Sequence, residues 1–473
     1  MTTNAYINGR SVAAANTYEN IDPATGQSLG EVARCTAEHV DEAVAAAAAA
    51  QPAWARTRPE DRARLLTATA DLIERDVDRL ARLESEDTGK PLSQARTDAS
   101  ICARYFRFYG HAIESYYGQT IPLSDDLHVY TRKEPFGVVG SVLAWNYPMQ
   151  LLARAAAPAL ATGNACVVKP ADETPRTSVA IAELFTQAGA AAGLLNVVTG
   201  VGAEAGAAVA AHPGIAHVGF VGSTETGSKI AHAAADRVAP VVLELGGKSA
   251  HLVFPDADLE TVATVATKAI LQNAGQTCSA GSRLIVHQSI REELLDLIAE
   301  RFKKVSIGRG LDDPDLGPLV SAKQQDRVRG MVGRLTQGTV LVGGDIPTDE
   351  SLAGGAYFSP TLIDGVDPKS EIAQQEVFGP VVVSMPFETE EEAVALANCT
   401  DYALLGAVWT RDLSRAHRLA TQIEAGQVYV NTYGAGGGVE LPFGGFKRSG
   451  YGREKGLEAL DAYTETKTVI VKL

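Results

Sequence analysis

The feature that most constrains the fold is an alternation, starting at Gly137, between short β-branched runs and alanine-rich stretches with helical spacing. The runs occupy residues 138–143, 166–168, 195–198, 217–221 and 241–245, and the helical stretches lie around 149–161, 177–189, 204–211 and 225–237. A sequence that alternates strands and helices in this way builds a parallel sheet that is covered by helices on both faces. We therefore predict a doubly wound α/β domain, an architecture that commonly binds nucleotides but also serves other functions.

A second series of apolar runs predicts another domain of the same class. It begins near His251 and continues through 284–286, 339–342 and 428–431. Before the first series, Asn8-Gly9 predicts a tight hairpin, and a capping box of Thr57 and Glu60 predicts one long amphipathic helix over about 59–84. The stretch 463–473 alternates like a terminal strand, which needs a partner sheet.

Charge and cysteine usage narrow the choice of partner. The 42 Lys+Arg and 57 Asp+Glu residues give a formal net charge of -15, which disfavours nucleic acid and anionic membranes and favours a small-molecule partner. The five cysteines lack the spacing of a metal site or a disulfide framework, so we predict no metal and a reducing compartment. Neither a secretory signal nor a membrane span is evident, which predicts a cytoplasmic protein.

Two glycine-rich turns are candidates for binding a diphosphate. Residues 200–206 follow a predicted strand and open a helix, but they contain one residue too many for the dinucleotide fingerprint. Residues 222–227 also lie between a strand and a helix, where free backbone N–H groups and the helix dipole favour an anion. A glycine-rich turn without a ligand explains this second motif equally well.

Cys278 is the candidate nucleophile. Glycines on both sides and small polar neighbours allow a substrate to approach its sulfur, whereas Cys102 and Cys166 lie in apolar surroundings typical of inert core thiols. A thiol of ordinary pKa is mostly protonated at neutral pH, so a neighbouring group must activate it. A cysteine–histidine pair with His217 or His251 is an alternative, although both histidines begin strand-like segments, where a structural histidine is commoner.

Two polar residues lie at the ends of predicted strands. Glu244 lies in an apolar segment just before a pair of glycines, and burial there would raise its pKa towards the range that a general base needs. An ordinary buried, hydrogen-bonded glutamate is the alternative. Asn146 follows a parallel strand at its carboxyl end, where its amide would either stabilise an oxyanion or cap the helix that starts after Pro148.

Taken together, these segments resemble the aldehyde dehydrogenase superfamily almost from end to end. The motifs, in the order of that family, are WNYP (145–148), VKPADETP (168–175), GFVGS (219–223), ELGGK (244–248), GQTC (275–278), EVFGP (376–380) and LPFGGFK (441–447). The resemblance implies that Cys278 attacks the aldehyde carbon and that the Asn146 side chain and the Cys278 N–H hold the oxyanion. It implies further that NAD accepts the hydride, and that Glu244 activates the water that hydrolyses the Cys278 thioester to a carboxylic acid.

The resemblance also implies a cofactor site. Lys169 would reach the adenosine ribose, Gly222 and Ser223 the diphosphate, and Glu376 the nicotinamide ribose. The cofactor-binding residues implied are Leu143, Trp145, Lys169, Asp172, Gly202, Gly222, Ser223, Glu376 and Phe378. A carboxylate at Asp172 accepts from a ribose 2′-OH but repels a 2′-phosphate, which favours NAD while leaving NADP open.

For the substrate, the resemblance implies an aromatic tunnel formed by Tyr147 and Phe443. Arg154 matches a position where succinate-semialdehyde enzymes place a carboxylate-binding arginine, but their second arginine is replaced here by Gln272. Many members carry a lysine after this arginine, but this chain has Ala155 there, so the proton relay through that lysine with Glu454 lacks its lysine. A carboxylated aldehyde and a purely structural Arg154 both remain open.

The family pattern divides the chain into a Rossmann-like NAD-binding domain (1–116 and 135–245), a catalytic domain (246–440) and oligomerisation strands (117–134 and 457–473). Pairing of these strands across subunits predicts a homodimer or a homotetramer. The alternatives for function are transfer of the acyl group to coenzyme A and a non-catalytic NAD-binding or structural relative.

Overall fold

The chain is described by a computed structural model for residues 2–434 and 438–473. The strands are β1 (Thr2–Thr3), β2 (Ala5–Ile7), β3 (Arg10–Val12), β4 (Thr17–Ile21), β5 (Ser28–Ala33), β6 (Thr120–Ser124), β7 (Leu127–Pro135), β8 (Val138–Val142), β9 (Ala165–Lys169), β10 (Leu195–Val197), β11 (His217–Val221), β12 (Val241–Glu244), β13 (Ala250–Val253), β14 (Arg283–His287), β15 (Thr339–Val342), β16 (Thr361–Asp364), β17 (Val381–Phe387), β18 (Tyr402–Ala403), β19 (Leu405–Trp409), β20 (Gln427–Val430), β21 (Phe446–Lys447), β22 (Gly450–Tyr451) and β23 (Thr464–Lys472).

The helices are α1 (Ala37–Ala55), α2 (Pro59–Arg75), α3 (Val77–Thr88), α4 (Leu92–Ala112), α5 (Pro148–Ala161), α6 (Arg176–Gln187), α7 (Ala207–Ala211), α8 (Thr224–Ala235), α9 (Leu259–Leu271), α10 (Arg291–Phe302), α11 (Ala322–Gly333), α12 (Glu371–Gln374), α13 (Glu390–Asn398), α14 (Leu413–Gln422) and α15 (Glu458–Ala462). Within the described ranges, no helix has both the length and the apolar character that crossing a membrane requires.

The first sheet has the strand order β22-β12-β11-β8-β9-β10-β2-β3. Its five central strands are parallel, whereas β22 at one edge and the β2–β3 hairpin at the other edge pair antiparallel with their neighbours. The strands and helices predicted from 138 to 245 are all present, and one apolar core packs around this sheet. The predicted doubly wound domain is therefore confirmed, with antiparallel strands added at both edges.

The second sheet has the order β15-β16-β17-β14-β13-β19-β20 and its own apolar core. All of its pairs are parallel except β15 with β16. The sequence pattern missed β16, β17 and β19. Their runs are almost wholly buried and apolar, and such runs lack the alternation that distinguishes a strand from a buried helical segment.

The helix predicted over 59–84 is wrong in one respect, because the chain forms two helices, α2 and α3, that meet at Asp76. The backbone of Asp76 leaves the helical region (φ -107°, ψ 15°), and its carboxylate accepts a hydrogen bond from Arg79 at 2.8 Å. Aspartate has a low intrinsic helix propensity, which favours a break at this position. The predicted capping box is also wrong, since Thr57 Oγ1 donates to the Ala53 carbonyl instead.

A small antiparallel sheet, β23-β7-β6, stands apart from the two large ones. The predicted terminal strand is confirmed as β23, which pairs along its whole length with β7. This pairing lies within one chain, and β23 and β6 form the two edges of the sheet, so pairing across subunits stays a prediction. The sheet exposes several apolar side chains, among them Leu123, Ile470 and Leu473.

Candidate active site

A cleft opens at the carboxyl ends of β8, β11 and β12, which is where ligands bind in open α/β sheets. The cleft has a volume of about 1170 Å³, which includes space that is open to solvent. Segments of the second sheet's domain close it from the other side, through the turn before β14 and the loop before β17. The predicted site residues that line it are Trp145, Asn146, Tyr147, Arg154, Gly222, Ser223, Glu244, Cys278, Glu376, Phe378 and Phe443.

The turn that carries Cys278 is held in an unusual backbone conformation. Asn273 and Ala274 both have positive φ, 48° and 53°, in a left-handed region that is costly for residues with a Cβ atom. Gly275 follows at φ 71°, and a Cβ atom there would lie 2.1 Å from the Gly379 carbonyl oxygen. The Gln276 side chain fixes the turn by donating to Asn273 O at 3.0 Å and accepting from the Val320 N–H at 2.8 Å.

The Cys278 thiol is partly exposed to the cleft. Burial raises the pKa of Cys278 to about 12; the positive charge of Arg154 opposes this shift, and the carboxylates of Glu244, Glu376 and Glu454 add to it. The thiol is therefore protonated at neutral pH, and a base must remove its proton as it attacks. Cys399, also exposed, lies outside the cleft lining.

Glu244 ends β12 and is 2 % exposed. Within residues 2–434 and 438–473, neither carboxylate oxygen accepts a hydrogen bond, although Arg154 Nη2 lies 3.4 Å from Oε2. Burial raises the pKa of Glu244 well above its ordinary value; Arg154 lowers it, and Glu454 raises it further. The alternative of an ordinary, hydrogen-bonded buried glutamate does not fit, because its oxygens are left for a ligand or water.

Arg154 lies between two carboxylates. Its Nε donates to Glu454, its Nη2 faces Glu244, and its guanidinium lies 4.7 Å from the centre of the Phe443 ring. The hydrogen bond from Nε to Glu454 occupies one edge of the guanidinium that was predicted to bind a substrate carboxylate, whereas Nη2 has no hydrogen-bond partner among the described residues. The carboxylates of Glu454 and Glu244 already balance the charge of Arg154. They favour the structural alternative for Arg154, with an electrostatic effect on Glu244.

Asn146 follows β8 and is buried in the wall of the cleft. Its side-chain amide donates to the Gln276 carbonyl at 3.0 Å, which ties it to the turn of Cys278. The amide oxygen has no hydrogen-bond partner among the described residues. The bond to Gln276 uses one N–H of the amide, and the second N–H is the one that could donate to an oxyanion on the substrate.

The predicted diphosphate residues Gly222 and Ser223 lie at the N-terminus of α8, and Ser223 Oγ caps this helix by accepting from the Thr226 N–H at 3.2 Å. Opposite them, Glu376 is anchored by the Gly247 N–H at 2.9 Å. Burial raises the pKa of Glu376 to about 7. Phe378 contacts Trp145 edge-to-face, with ring centres 5.1 Å apart, so the two aromatic residues form one wall.

The remaining cofactor-binding candidates do not line the cleft but form a group beside it. Lys169 forms an ion pair with Asp172, and the Gly202 N–H donates to the other oxygen of Asp172 at 3.2 Å. The Leu143 N–H donates to the Lys169 carbonyl at 2.9 Å, between the ends of β8 and β9. Gly202 starts a turn of π-helix, Gly202–Gly206, which forms the first part of the helix predicted around 204–211, and α7 forms the rest.

The two histidines considered as partners for a cysteine nucleophile are structural. His217 is buried against Phe136 and Tyr463, and burial lowers its pKa to about 4. His251 accepts from Trp409 Nε1 at 3.1 Å, and burial lowers its pKa to about 3. Neither lines the cleft, so a cysteine–histidine pair is excluded.

Sequence reasoning missed Lys455, which lines the cleft next to Glu454. Its backbone has φ 63°, and its Nζ lies 5.1 Å from the centre of the Phe443 ring, on which Arg154 also packs. Burial, together with the positive charge of Arg154, lowers the pKa of Lys455 to about 8. The adjacent letters Glu454-Lys455 resemble a solvated charge pair in the sequence, so no local signal reveals that they enter the site.

Comparison with known proteins identifies the family. The model of the aldehyde dehydrogenase family matches residues 11–469. The chain belongs to the aldehyde dehydrogenase family. The predicted family, α/β fold class and aldehyde-oxidising activity are thereby confirmed.

Among solved structures, this aldehyde dehydrogenase is similar to a protein from Burkholderia cenocepacia described as an aldehyde dehydrogenase, at 45% identity and a TM-score of 0.97, over 99% of this chain and 100% of that one. It is similar to the NAD⁺ complex of an aldehyde dehydrogenase from Bacillus cereus, at 40% identity and a TM-score of 0.97, over 100% and 97% of the two chains. A cysteine-to-alanine mutant of an indole-3-acetaldehyde dehydrogenase from P. syringae, in complex with NAD⁺ and IAA, matches at 39% identity and a TM-score of 0.97, over 99% and 96%.

Proposed function

We propose that this aldehyde dehydrogenase converts an aldehyde to the free carboxylic acid with NAD as hydride acceptor, through a covalent intermediate on Cys278. The observation that carries the proposal is that an accessible thiol and a buried carboxylate, which has no hydrogen-bond partner in the described part of the chain, line the same cleft. A nucleophile and a base are the two groups that the two halves of this reaction require.

The residues present fit NAD. The N-terminus of α8 offers backbone N–H groups from Ser223 onward to a diphosphate, whereas the Gly222 N–H donates to the Glu244 carbonyl at 3.0 Å. The half-buried carboxylate of Glu376 is suited to a ribose hydroxyl. Asp172, beside Lys169 and Gly202, is suited to the 2′-OH of the second ribose and would repel a 2′-phosphate, which favours NAD over NADP. When bound, NAD supplies a nicotinamide ring that takes up hydride from the substrate carbon.

In the first half of the reaction, Cys278 Sγ bonds to the aldehyde carbon while the thiol proton passes to a base in the cleft. The Asn146 side-chain amide and the Cys278 backbone N–H donate to the resulting oxyanion. Loss of hydride from that carbon leaves a thioester on Cys278. Glu244 then takes a proton from water, the water oxygen bonds to the thioester carbon, and the carbon–sulfur bond breaks to release the acid and restore the thiol.

The experiment that tests this function is an assay of the purified chain with short aliphatic, aromatic, amino- and carboxy-aldehydes, with NAD or NADP. We expect reduced cofactor and free carboxylic acid in equal amounts, with higher kcat/KM for NAD. Addition of coenzyme A is the control. Formation of acyl-CoA in place of free acid would show that the enzyme transfers the acyl group and does not hydrolyse the thioester. Absence of turnover with every aldehyde would show that the chain is a non-catalytic relative.

Substitution of Arg154 separates its two candidate roles. Because the Arg154 charge lowers the pKa of Glu244, Arg154→Leu should raise that pKa further, so that the basic form of Glu244 appears only at higher pH. We expect the acid limb of the kcat profile to move to higher pH for every aldehyde. Arg154→Lys, which keeps the charge, is the matched control and should leave the limb closer to its original position.

A different result would assign the other role to Arg154. An increase of KM restricted to carboxylated aldehydes, with an unchanged pH profile, would show that Arg154 binds a substrate carboxylate and would contradict the electrostatic role.

The chain also carries features of a self-associating protein. The apolar side chains exposed on the β23-β7-β6 sheet, with its open strand edges, support the proposal of a homodimer or homotetramer. Sedimentation of the purified chain tests this, and a monomer at micromolar concentration would contradict it. The cytoplasmic location and the domain boundaries stay predictions from the sequence.

A further inference from the structure

A buried lysine lies directly behind the oxyanion donor. Lys90 occupies the turn between α3 and α4, and its side chain is 0% exposed. Its Nζ donates to Glu84 Oε1 at 3.1 Å, to Asp98 Oδ2 at 2.5 Å and to the backbone carbonyl of Asn146 at 3.0 Å. The same ammonium group lies 4.4 Å from the centre of the Tyr147 ring.

The two carboxylates of this cluster are themselves held in place. Glu84 Oε2 accepts from Thr177 Oγ1 at 3.1 Å, and Asp98 Oδ1 accepts from Gln150 Nε2 at 2.6 Å. These contacts tie the end of α3 and the starts of α4, α5 and α6 to one ammonium group. Burying a charged cluster of this kind is costly, and a purely apolar filling of the space would serve stability at least as well.

The contact with Asn146 connects the cluster to the catalytic turn. The Asn146 carbonyl accepts a second hydrogen bond, from Asn273 Nδ2 at 2.9 Å. The Asn146 side-chain amide and Asn273 Nδ2 both donate to the Gln276 carbonyl, at 3.0 and 3.2 Å. Asn146 is thus held at its backbone by Lys90 and Asn273, while its side chain points towards the turn that ends in Cys278.

We propose that Lys90 is a positioning residue of the oxyanion site, which holds the Asn146 backbone so that the Asn146 amide faces the carbon bound to Cys278. The inference rests on the proposed function of Asn146. An oxyanion donor stabilises the transition state only when its geometry is maintained during the reaction, and a charged hydrogen bond to its backbone carbonyl is stronger than a neutral one. Charge balance with Glu84 and Asp98 alone would not require the third bond to Asn146.

A double-mutant cycle between Lys90 and Asn146 tests this, with the rate of the first-turnover burst of NADH as the readout. We expect Lys90→Met to slow the burst by about tenfold or more, less than loss of the donor itself in Asn146→Ala, which removes about 10²–10³-fold. In the Asn146→Ala background, Lys90→Met should slow the burst by less than about threefold, since residues that act through one group are not additive.

Asp87→Asn is the matched control, because Asp87 is equally buried on α3 and bound to Asn20 and Arg176, away from Asn146. It should destabilise the fold without changing the burst in either background. If Lys90→Met does not fold, Lys90→Met combined with Glu84→Gln removes one uncompensated carboxylate and serves in its place. If Lys90→Met slowed the burst equally in the natural and the Asn146→Ala backgrounds, the inference would be overturned. If the single variant Asn146→Ala had an unchanged burst, the proposed role of Asn146 would be overturned, and the inference with it.

Discussion

Replacing Glu244 with glutamine is expected to preserve the first-turnover burst of NADH while steady-state turnover falls by about a hundredfold or more. Glutamine has almost the same shape but cannot take a proton from water, so acylation of Cys278 proceeds and hydrolysis of the thioester stalls. Rapid-mixing absorbance measurements give both rates. Mass spectrometry of the quenched enzyme should show the acyl group on Cys278.

The pH dependence provides a second measure of the same residue. Because burial raises the pKa of Glu244 well above its ordinary value, the basic form is lost as the pH falls through that raised pKa. Steady turnover of the natural enzyme should therefore decline at a higher pH than an exposed glutamate would cause, and the residual turnover of Glu244→Gln should lack this limb. If burst and steady turnover fell together in Glu244→Gln, Glu244 would act in acylation and not in hydrolysis.

Alkylation of Cys278 with iodoacetamide is expected to abolish aldehyde oxidation, since no other thiol reaches the cleft among the described residues. Cys35, Cys102 and Cys166 are buried and should not react in the native protein. Because the pKa of Cys278 is raised to about 12, the rate of labelling should increase with pH across the neutral range. Peptide mapping against residual activity measures the correlation.

Cys399 must be separated from this result. It is exposed, and its sulfur lies 3.6 Å from Arg283 Nη1 and from Gln374 Nε2. A Cys399→Ser variant should have full activity before labelling, and this activity should fall in proportion to alkylation of Cys278. A Cys278→Ala variant should be inactive and should still be labelled at Cys399. Loss of activity that followed labelling of Cys399 would contradict the assignment of the nucleophile.

Much of the site was accessible from sequence because its residues lie where local patterns end. Asn146 and Glu244 come directly at or after the carboxyl ends of β8 and β12, and such ends meet at one edge of a parallel sheet. Cys278 was distinguished from the other thiols by the glycines around it, one of which, Gly275, has the positive φ that its turn needs. These signals depend on a few neighbouring residues, so they can be recognised without knowledge of the fold.

The partners of these residues were not accessible in the same way. Arg154 and Glu454 are 300 residues apart, and Lys90 and Asn146 are 56 apart, so no local spacing brings either pair together. The break at Asp76 also escaped prediction, because the apolar periodicity continues across it while the backbone does not.

By itself, the sequence determined the fold class and the family and predicted the chemical types of the reacting groups, since these follow from periodicity, glycine positions and ordered motifs. The tertiary structure alone decided what surrounds them: that Arg154 is held by Glu454 and faces Glu244, that Lys455 enters the cleft, and that Lys90 supports Asn146. The physical reason is that burial and electrostatic environment depend on every segment packed around a group, and packing brings together residues that the chain keeps far apart.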